Sequence, residues 1–241
     1  MRLLRVSLLL NKVSRNAVFF GIVWLLMALF ILANAYSIKG SPEFTEHFNY
    51  ERSINASLKF TFYGVLLGMW VAYDLASLFR NGMIKQILVL GYSRLQLHLM
   101  LLVNAAIKVL ALLLCLTGTV LIINLILFSN SFDFWYIFNF NLLFQFFVFS
   151  LYGSIALFFI SLFKSYLGLV FIIIYNFLEH FLIGFCLNIL EVDLRNYLPL
   201  SLTQNILNET SNGYEDFFIF ALYLIAFPMA SFLLIKKSKF Y

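Results

Sequence analysis

The stretch that decides the fold is a pair of long apolar runs separated by one lysine. Residues 140–163 read FNLLFQFFVFSLYGSIALFFISLF, residues 165–190 read SYLGLVFIIIYNFLEHFLIGFCLNIL, and Lys164 stands between them. Each run is long enough to cross a bilayer as an α-helix, which takes about 20 apolar residues. Because lipid offers no partner to open backbone groups, we expect both runs to be helical. The single lysine then predicts a tight antiparallel hairpin.

Four further segments have the same character, at residues 17–37, 56–79, 98–128 and 216–235. We number the six segments spans 1 to 6 in chain order. They use most of the 241 residues, of which 63% are hydrophobic and 11% charged, and the mean hydropathy is +0.95. A soluble domain has about a quarter charged residues, so a water-soluble enzyme is excluded. The sequence predicts a single all-α integral membrane domain over residues 1–241.

The basic residues indicate how the spans are oriented, because cytoplasmic segments of membrane proteins carry an excess of lysine and arginine. We expect both termini in the cytoplasm, in a multi-pass protein of the bacterial cytoplasmic (inner) membrane. The acidic residues outside the spans cluster on the opposite side. The inner basic residues are Arg2, Arg5, Lys12, Arg15, Arg80, Lys85, Arg94, Lys164, Lys236, Lys237 and Lys239, against Lys39, Arg52 and Arg195 outside.

Three segments outside the spans carry expectations of their own. Residues 1–16 are basic and amphipathic, which indicates either a helix lying in the inner interface among membrane lipid or a simple positive flank. The apolar run that follows is longer than a cleaved signal sequence needs, so we expect span 1 to be retained. We expect a short polar loop at residues 38–55 and a short helix after Pro199 at the outer surface.

The inner segment between spans 2 and 3 is the most informative connection. Residues 78–94 read LFRNGMIKQILVLGYSR, and glycine at positions 82 and 91 permits turns that other residues resist. Between the glycines we predict a short amphipathic helix, and Ser93 is a candidate cap for the helix that follows. Such a helix at the cytoplasmic face is either a docking element for a soluble partner or a connector without one. Its predicted apolar side consists of Met83, Ile84, Ile87, Leu88 and Leu90.

This segment resembles the one that follows span 2 in type-2 ABC transporter permeases, the six-helix membrane subunits of many bacterial exporters. The matching residues are Gly82, Ile84, Lys85, Gln86, Leu88, Gly91, Ser93 and Arg94. The resemblance implies that residues 80–91 form a coupling helix resting on a separate ATPase subunit. Acidic residues common before the first glycine in that family are replaced here by Arg80 and Asn81. The residues implied in ATPase coupling are Arg80, Asn81, Gly82, Met83, Ile84, Lys85, Gln86, Gly91, Ser93 and Arg94.

The resemblance also implies a function. The chain is expected to pair with a second permease copy, as a homodimer or related heterodimer, and to export an amphiphilic, lipid-like or hydrophobic peptide cargo by alternating access. Spans 2 and 5 would line the path. The sequence contains no phosphate-binding loop, so ATP and Mg²⁺ are expected on the partner ATPase, with no cofactor and no catalytic residue here. Nothing points to nucleic acid. The alternatives are a non-transporting immunity or sensor subunit and an intramembrane enzyme.

Charged residues inside spans are costly and are candidates for function. Lys108 and Glu179 each lie about 14 residues, roughly 21 Å, from an inner-face marker, so we predict that they pair. His180 would extend the pair into a polar patch, either structural or along the substrate path. We expect Asp74 to pair near Arg80. The histidines His47, His98 and His180 are too widely separated in sequence to predict a metal site, and Gly64 and Gly68 allow close helix contact, within the chain or in a dimer.

Overall fold

The computed structural model describes residues 17–40, 46–58, 62–129, 141–207 and 213–238. The interfacial helix expected at residues 1–16 lies outside them. Apart from short connections the described residues are helical, and no strand occurs among them. We number the helices in chain order: α1 Ala17–Lys39, α2 Glu46–Leu58, α3 Phe62–Arg80, α4 Met83–Val89, α5 Arg94–Leu127, α6 Asn141–Phe163, α7 Leu167–Ile189, α8 Pro199–Leu207 and α9 Tyr214–Lys237.

Six stretches of the described chain are long and apolar enough to cross a membrane, which confirms the predicted number of spans. They correspond to α1, the run from α2 through α3, and α5, α6, α7 and α9. The predicted ends agree with the helices to within a few residues, except that span 2 is extended to Asn49 by α2. The chain therefore has the form of a multi-pass integral membrane protein.

The polar loop expected at residues 38–55 is wrong, because α2 occupies most of it. The buried side chains of α2 recur in pairs every four residues, which places them on one helical face. That face packs against α1 and α5, and Tyr50 makes an edge contact with Phe128 at 6.3 Å between ring centroids. The buried residues are Asn49, Tyr50, Ser53, Ile54, Ser57 and Leu58.

The centre of the bundle is the contact between α3 and α6. A Cβ added at Gly64 would lie 2.4 Å from the ring of Tyr152, so the two helices approach more closely than any larger residue permits. Gly68 faces Ile172 of α7. Both glycines are therefore buried in contacts within the chain's own bundle.

The hairpin predicted around Lys164 is confirmed. Only residues 164–166 separate α6 from α7, and Lys164 has a φ of 52° in the left-handed region. A Cβ at Gly168 would lie 3.1 Å from backbone atoms of Ile160. The first turn of α7 is therefore in backbone contact with the last turn of α6.

The first span is packed into the bundle along one stripe of α1. Val23, Met27, Ile31 and Ala35 are buried at intervals of one turn. The indole Nε1 of Trp24 donates a hydrogen bond to Thr119 of α5 at 3.0 Å. The remaining faces of α1 carry exposed leucine, phenylalanine and isoleucine, as expected of a helix whose outer side meets lipid.

Candidate functional site

The short helix α4 is set off from its neighbours by two glycine turns. Gly82 has a φ of 69° and Gly91 a φ of 87°, a region of backbone conformation that favours glycine. The amide of Gly82 donates to the carbonyl of Phe79, and the amide of Gly91 donates to the carbonyl of Leu88. The chain thus turns sharply out of α3 into α4, and again out of α4, as the glycine spacing predicted.

The apolar side of α4 faces the bundle. Ile84 and Ile87 are buried against α3 and α5, while Met83 and Leu88 are half-buried. Leu90 does not belong to this side, contrary to the prediction, and is 75% exposed. The reason is its position after the last helical residue, on the same side as Gln86 one turn earlier, which is also exposed.

The helix that follows α4 begins with the predicted cap. The Ser93 hydroxyl accepts from the backbone amide of Gln96 at 3.2 Å, and the Gln96 side chain accepts from the backbone amide of Ser93 at 2.8 Å. This reciprocal pair satisfies two amides that would otherwise lack partners at the helix start. It fixes the direction in which α5 leaves the α4 segment.

Helix ends rich in basic residues meet around α4. The guanidinium of Arg80 lies 5.6 Å from the ring centre of Tyr166, which joins the end of α3 to the α6–α7 hairpin at Lys164. Arg94 donates to the backbone carbonyl of Lys236, which joins the start of α5 to the end of α9. One end of the bundle therefore gathers basic residues from three helix ends and the hairpin.

Lys108 is paired with Asp74, so the predicted Lys108–Glu179 pair is wrong. The Lys108 ammonium contacts the Asp74 carboxylate, to which the Asn104 amide also donates at 3.0 Å. The Lys108 side chain is 3% exposed and the Asp74 side chain 0%. Lys108 Nζ also lies 5.7 Å from the ring centre of Trp70. The error arose because equal depth does not fix the direction in which a helical side chain points, and Lys108 points towards α3.

The side chain of Arg80, expected beside Asp74, lies over Tyr166 at the end of the bundle instead. The side chains of α3 are also placed differently from the expectation that span 2 lines a substrate path. Tyr63 is 1% exposed and Leu67 0%, so these side chains pack inside the chain's own bundle.

Glu179 holds the N-terminus of α8. Its Oε1 accepts the backbone amide of Ser201 at 2.7 Å, and the carboxylate is favoured by the positive end of the helix dipole. Ser201 therefore lies level with Glu179, about 15 Å before the end of α7. The helix expected after Pro199 is confirmed, but it starts beside α7 with its side chains largely buried rather than lying at a surface.

His180 does not extend the predicted patch towards Lys108. Its Nδ1 lies 2.9 Å from the carbonyl of Asn176, and the ring is exposed. It lines a hollow of about 240 Å³ together with Arg195, Gln204 and Asn205. Hydrogen bonds from the Arg195 side chain lower the pKa of Asp193, and this exposed ion pair lies in the segment before α8.

In the part of the chain that the structure describes, no group of three or more His, Cys, Asp or Glu side chains is placed to hold a metal ion. Comparison with protein-family models, curated proteins and solved structures finds no match. The arrangement around α4 and the buried carboxylates of Asp74 and Glu179 are the features of the described residues that are candidates for function.

Proposed function

We propose that this chain is the membrane-spanning subunit of an ATP-driven exporter of the type-2 ABC permease kind. The observation that carries the proposal is α4, a helix of seven residues between two membrane-length helices, turned at each end by a glycine of positive φ. A connector without a partner has no need of a separate helix with an exposed polar face. A soluble subunit that pushes on the bundle does need one.

The proposed orientation follows from the basic residues around α4. Arg80, Lys85, Arg94, Lys236 and Lys237 belong to the same end of the bundle, and such an excess favours the cytoplasmic side. Both termini are then cytoplasmic, in the inner membrane of a bacterium. ATP and Mg²⁺ reside on the partner ATPase, which meets the permease at α4, and this chain carries no catalytic residue.

The mechanism requires that movement of α4 reach the membrane interior. ATP binding shifts the permease only if the ATPase contacts its two states differently. Helix α4 is joined directly to α3 and α5, which the Asp74–Lys108 pair ties together inside the bundle. A push on α4 is therefore delivered to two helices that move as one unit.

The cargo path is proposed between two copies of the chain. The outward face of α7 carries Ile174, Phe177, Leu178 and Phe181 around an open hollow of about 300 Å³. These side chains offer no hydrogen bonds, which suits the hydrocarbon part of an amphiphilic, lipid-like or hydrophobic peptide cargo. The expectation that α3 also lines the path is dropped from the proposal, because most side chains of α3 are buried inside the chain's own bundle.

The experiment is purification of the chain in mild detergent, with identification by mass spectrometry of any P-loop ATPase that is retained with it. We expect the unchanged chain to retain the ATPase and a Lys85→Ala/Gln86→Ala/Val89→Ala variant to lose it. The matched control is Glu215→Ala, an exposed change at the other end of the bundle, which should retain the ATPase. Failure of the unchanged chain to retain any ATPase would contradict the proposal.

A transport measurement separates the exporter from a non-transporting immunity or sensor subunit. Inverted membrane vesicles containing the permease and its ATPase should accumulate a fluorescent amphiphile when ATP is supplied. An ATPase that binds without any ATP-dependent accumulation, across a panel of lipid-like and peptide probes, would favour the immunity or sensor alternative.

A further inference from the structure

Five buried side-chain oxygens towards the end of the bundle remote from α4 have no hydrogen-bond partner among the described residues. Three follow one stripe of α2, one belongs to α5 and one to α6, and none of these side chains is more than 5% exposed. Buried polar atoms of this kind are explained in native proteins by a bound water or ion. We call the five the oxygen cluster: Asn49 Oδ1, Ser53 Oγ, Ser57 Oγ, Asn124 Oδ1 and Gln145 Oε1.

The packing of α2 against α5 brings members of the oxygen cluster to the same level. The Tyr50 ring of α2 meets the Phe128 ring of α5 at 6.3 Å between centroids. The two helices run in opposite directions, because α2 leads through α3 towards α4 and α5 leads away from α4. One turn along α2 from Tyr50 therefore lies level with one turn back along α5 from Phe128. These positions hold Ser53 and Asn124.

The α6 member of the cluster is held at the end of α2 by a hydrogen bond. The Gln145 side-chain nitrogen Nε2 donates to the backbone carbonyl of Leu58 at 2.9 Å. The same amide therefore carries its Oε1 beside the last turn of α2, which contains Ser57. The Asn124 amide is similar, since its Nδ2 donates to the carbonyl of Val120 at 2.9 Å. Both amides use their nitrogen on the backbone and present only an acceptor to the cluster.

The two serines of the cluster differ from other hydroxyl residues in the helices of this chain. The hydroxyls of Thr117, Ser150 and Ser154 each donate to the backbone carbonyl four residues earlier, at 2.7 to 2.8 Å. A helical hydroxyl can make this bond without help from any neighbour. The hydroxyls of Ser53 and Ser57 make no bond to a described residue, so they are available to a ligand.

The electrostatic surroundings of the cluster favour a positive charge. Helix α2 ends at Leu58 and α5 at Leu127, so the negative ends of two helix dipoles lie beside it. Neither helix has a basic residue in its last turn to offset that charge. Water would donate hydrogen bonds to the same oxygens but would leave both helix ends without a compensating charge.

We propose that the oxygen cluster binds one alkali-metal cation, Na⁺ or K⁺, between α2, α5 and α6. Ser53, Ser57, Asn124 and Gln145 supply direct ligands, and Asn49, at one end of the line on α2, reaches the cation through a water molecule. These ligands are neutral, whereas protein sites for Mg²⁺ and Ca²⁺ are built with carboxylates. The cation would fasten a polar helix to two membrane spans. The site does not depend on the proposed ATPase or cargo.

The first experiment measures cation binding by the unchanged chain. Protein purified in detergent with choline chloride is titrated with NaCl, KCl or MgCl₂ at constant ionic strength, and its thermal unfolding midpoint is recorded. We expect Na⁺ or K⁺ to raise the midpoint by about 2 °C or more, because a ligand that binds only the folded chain stabilises it. Mg²⁺ should not. The ²³Na NMR relaxation of the same samples should be faster than without protein.

The second experiment locates the cation. Ser53→Ala/Ser57→Ala removes two ligands, so the midpoint rise and the faster ²³Na relaxation should both be lost. In choline chloride this variant should be no less stable than the unchanged chain, because the deleted hydroxyls have no partner there. Ser150→Ala/Ser154→Ala removes two helical hydroxyls from α6 and is the matched control, which should keep both responses. Na⁺ should also slow hydrogen exchange of the α2 amides in the unchanged chain and in the control.

The outcomes separate a cation from water and this site from any other. If no alkali salt raises the midpoint and the protein leaves ²³Na relaxation unchanged, water fills the cluster and the inference is wrong. If the response survives in Ser53→Ala/Ser57→Ala, the cation binds elsewhere and the inference is overturned. Stabilisation by Mg²⁺ alone would overturn the cation class. Should the double variant fail to fold, Asn124→Leu takes its place, with loss or survival of the response judged in the same way.

Discussion

Lys108 of α5 is bound to Asp74 of α3 inside the bundle, and Asn104 donates to the same carboxylate from one turn before Lys108. Helix α3 precedes the α4 segment and α5 follows it. The Asp74–Lys108 pair therefore joins the two helices that α4 connects. The pair holds α3 and α5 together inside the bundle.

Removing one member of this pair should destabilise the protein strongly, because the other charge is then buried without compensation. Asp74→Asn and Lys108→Met should each lower stability by about 3 kcal/mol or more. The measurement is thermal unfolding in detergent, followed by size-exclusion chromatography after heating. The control Lys85→Met removes an exposed lysine on α4 and should leave the midpoint unchanged. The double variant should recover much of the loss, and equal damage in the double and single variants would contradict a paired role.

The glycine at position 64 should tolerate no side chain. Gly64→Ala places its Cβ against the ring of Tyr152, which is 3% exposed and has no room to move, so we expect a cost of about 1–3 kcal/mol. Gly68→Ala is the matched control four residues along the same helix, because its Cβ would meet Ile172 at an ordinary 3.5 Å. Thermal unfolding of the two variants in the same detergent makes the comparison. Equal midpoints would show that α3 and α6 are less closely packed than described.

The carboxylate of Glu179 should control the local stability of α8. Glu179→Ala removes the acceptor of the Ser201 amide, so hydrogen exchange at that amide should speed up by about tenfold or more. Glu179→Gln keeps an oxygen acceptor and should show a smaller change. His180→Ala, next to Glu179 but exposed, is the control. Folding and transport are measured separately on each variant, and unchanged exchange in Glu179→Ala would remove its assigned role.

The two turns around α4 should matter for coupling more than for folding. Alanine at Gly82 or Gly91 must adopt a φ of 69° or 87°, which costs about 1–2 kcal/mol per residue. We expect Gly82→Ala and Gly91→Ala to assemble with the ATPase but to lower ATP-dependent transport. Gly118→Ala, at a helical position where a Cβ meets nothing within 4 Å, is the control. Transport equal to that of the control would show that the turns are irrelevant to coupling.

The spans could be predicted from sequence because their cause is composition, and lipid admits few alternatives to an apolar helix. Helix α2 could not be predicted from composition, because it is polar and contains no apolar run. Its signal was the spacing of Asn49, Ser53 and Ser57, which recur at four-residue intervals like a buried helical face. Only contact with α1 and α5 makes those polar residues interior.

The partner of Lys108 could not be deduced from depth alone. The rise per residue gives the depth of a side chain in the membrane. The direction in which the side chain points depends on the rotation of its helix about the helix axis. One local signal was available, because Asn104 lies four residues before Lys108 and marks the same polar face of α5. That signal indicates a polar neighbour but does not choose between Asp74 and Glu179. The partner is fixed by which helix, α3 or α7, packs against that face.

The hairpin at Lys164 has a consequence for how the bundle can deform. Helices α6 and α7 are joined without slack, and Gly168 rests on the backbone of Ile160. The two helices are held together at the hairpin end. They can therefore separate only by an increase in the angle between them, which opens the largest gap at their other ends. A cavity that forms between α6 and α7 must therefore be widest at the end of the bundle away from Lys164 and closed beside Lys164.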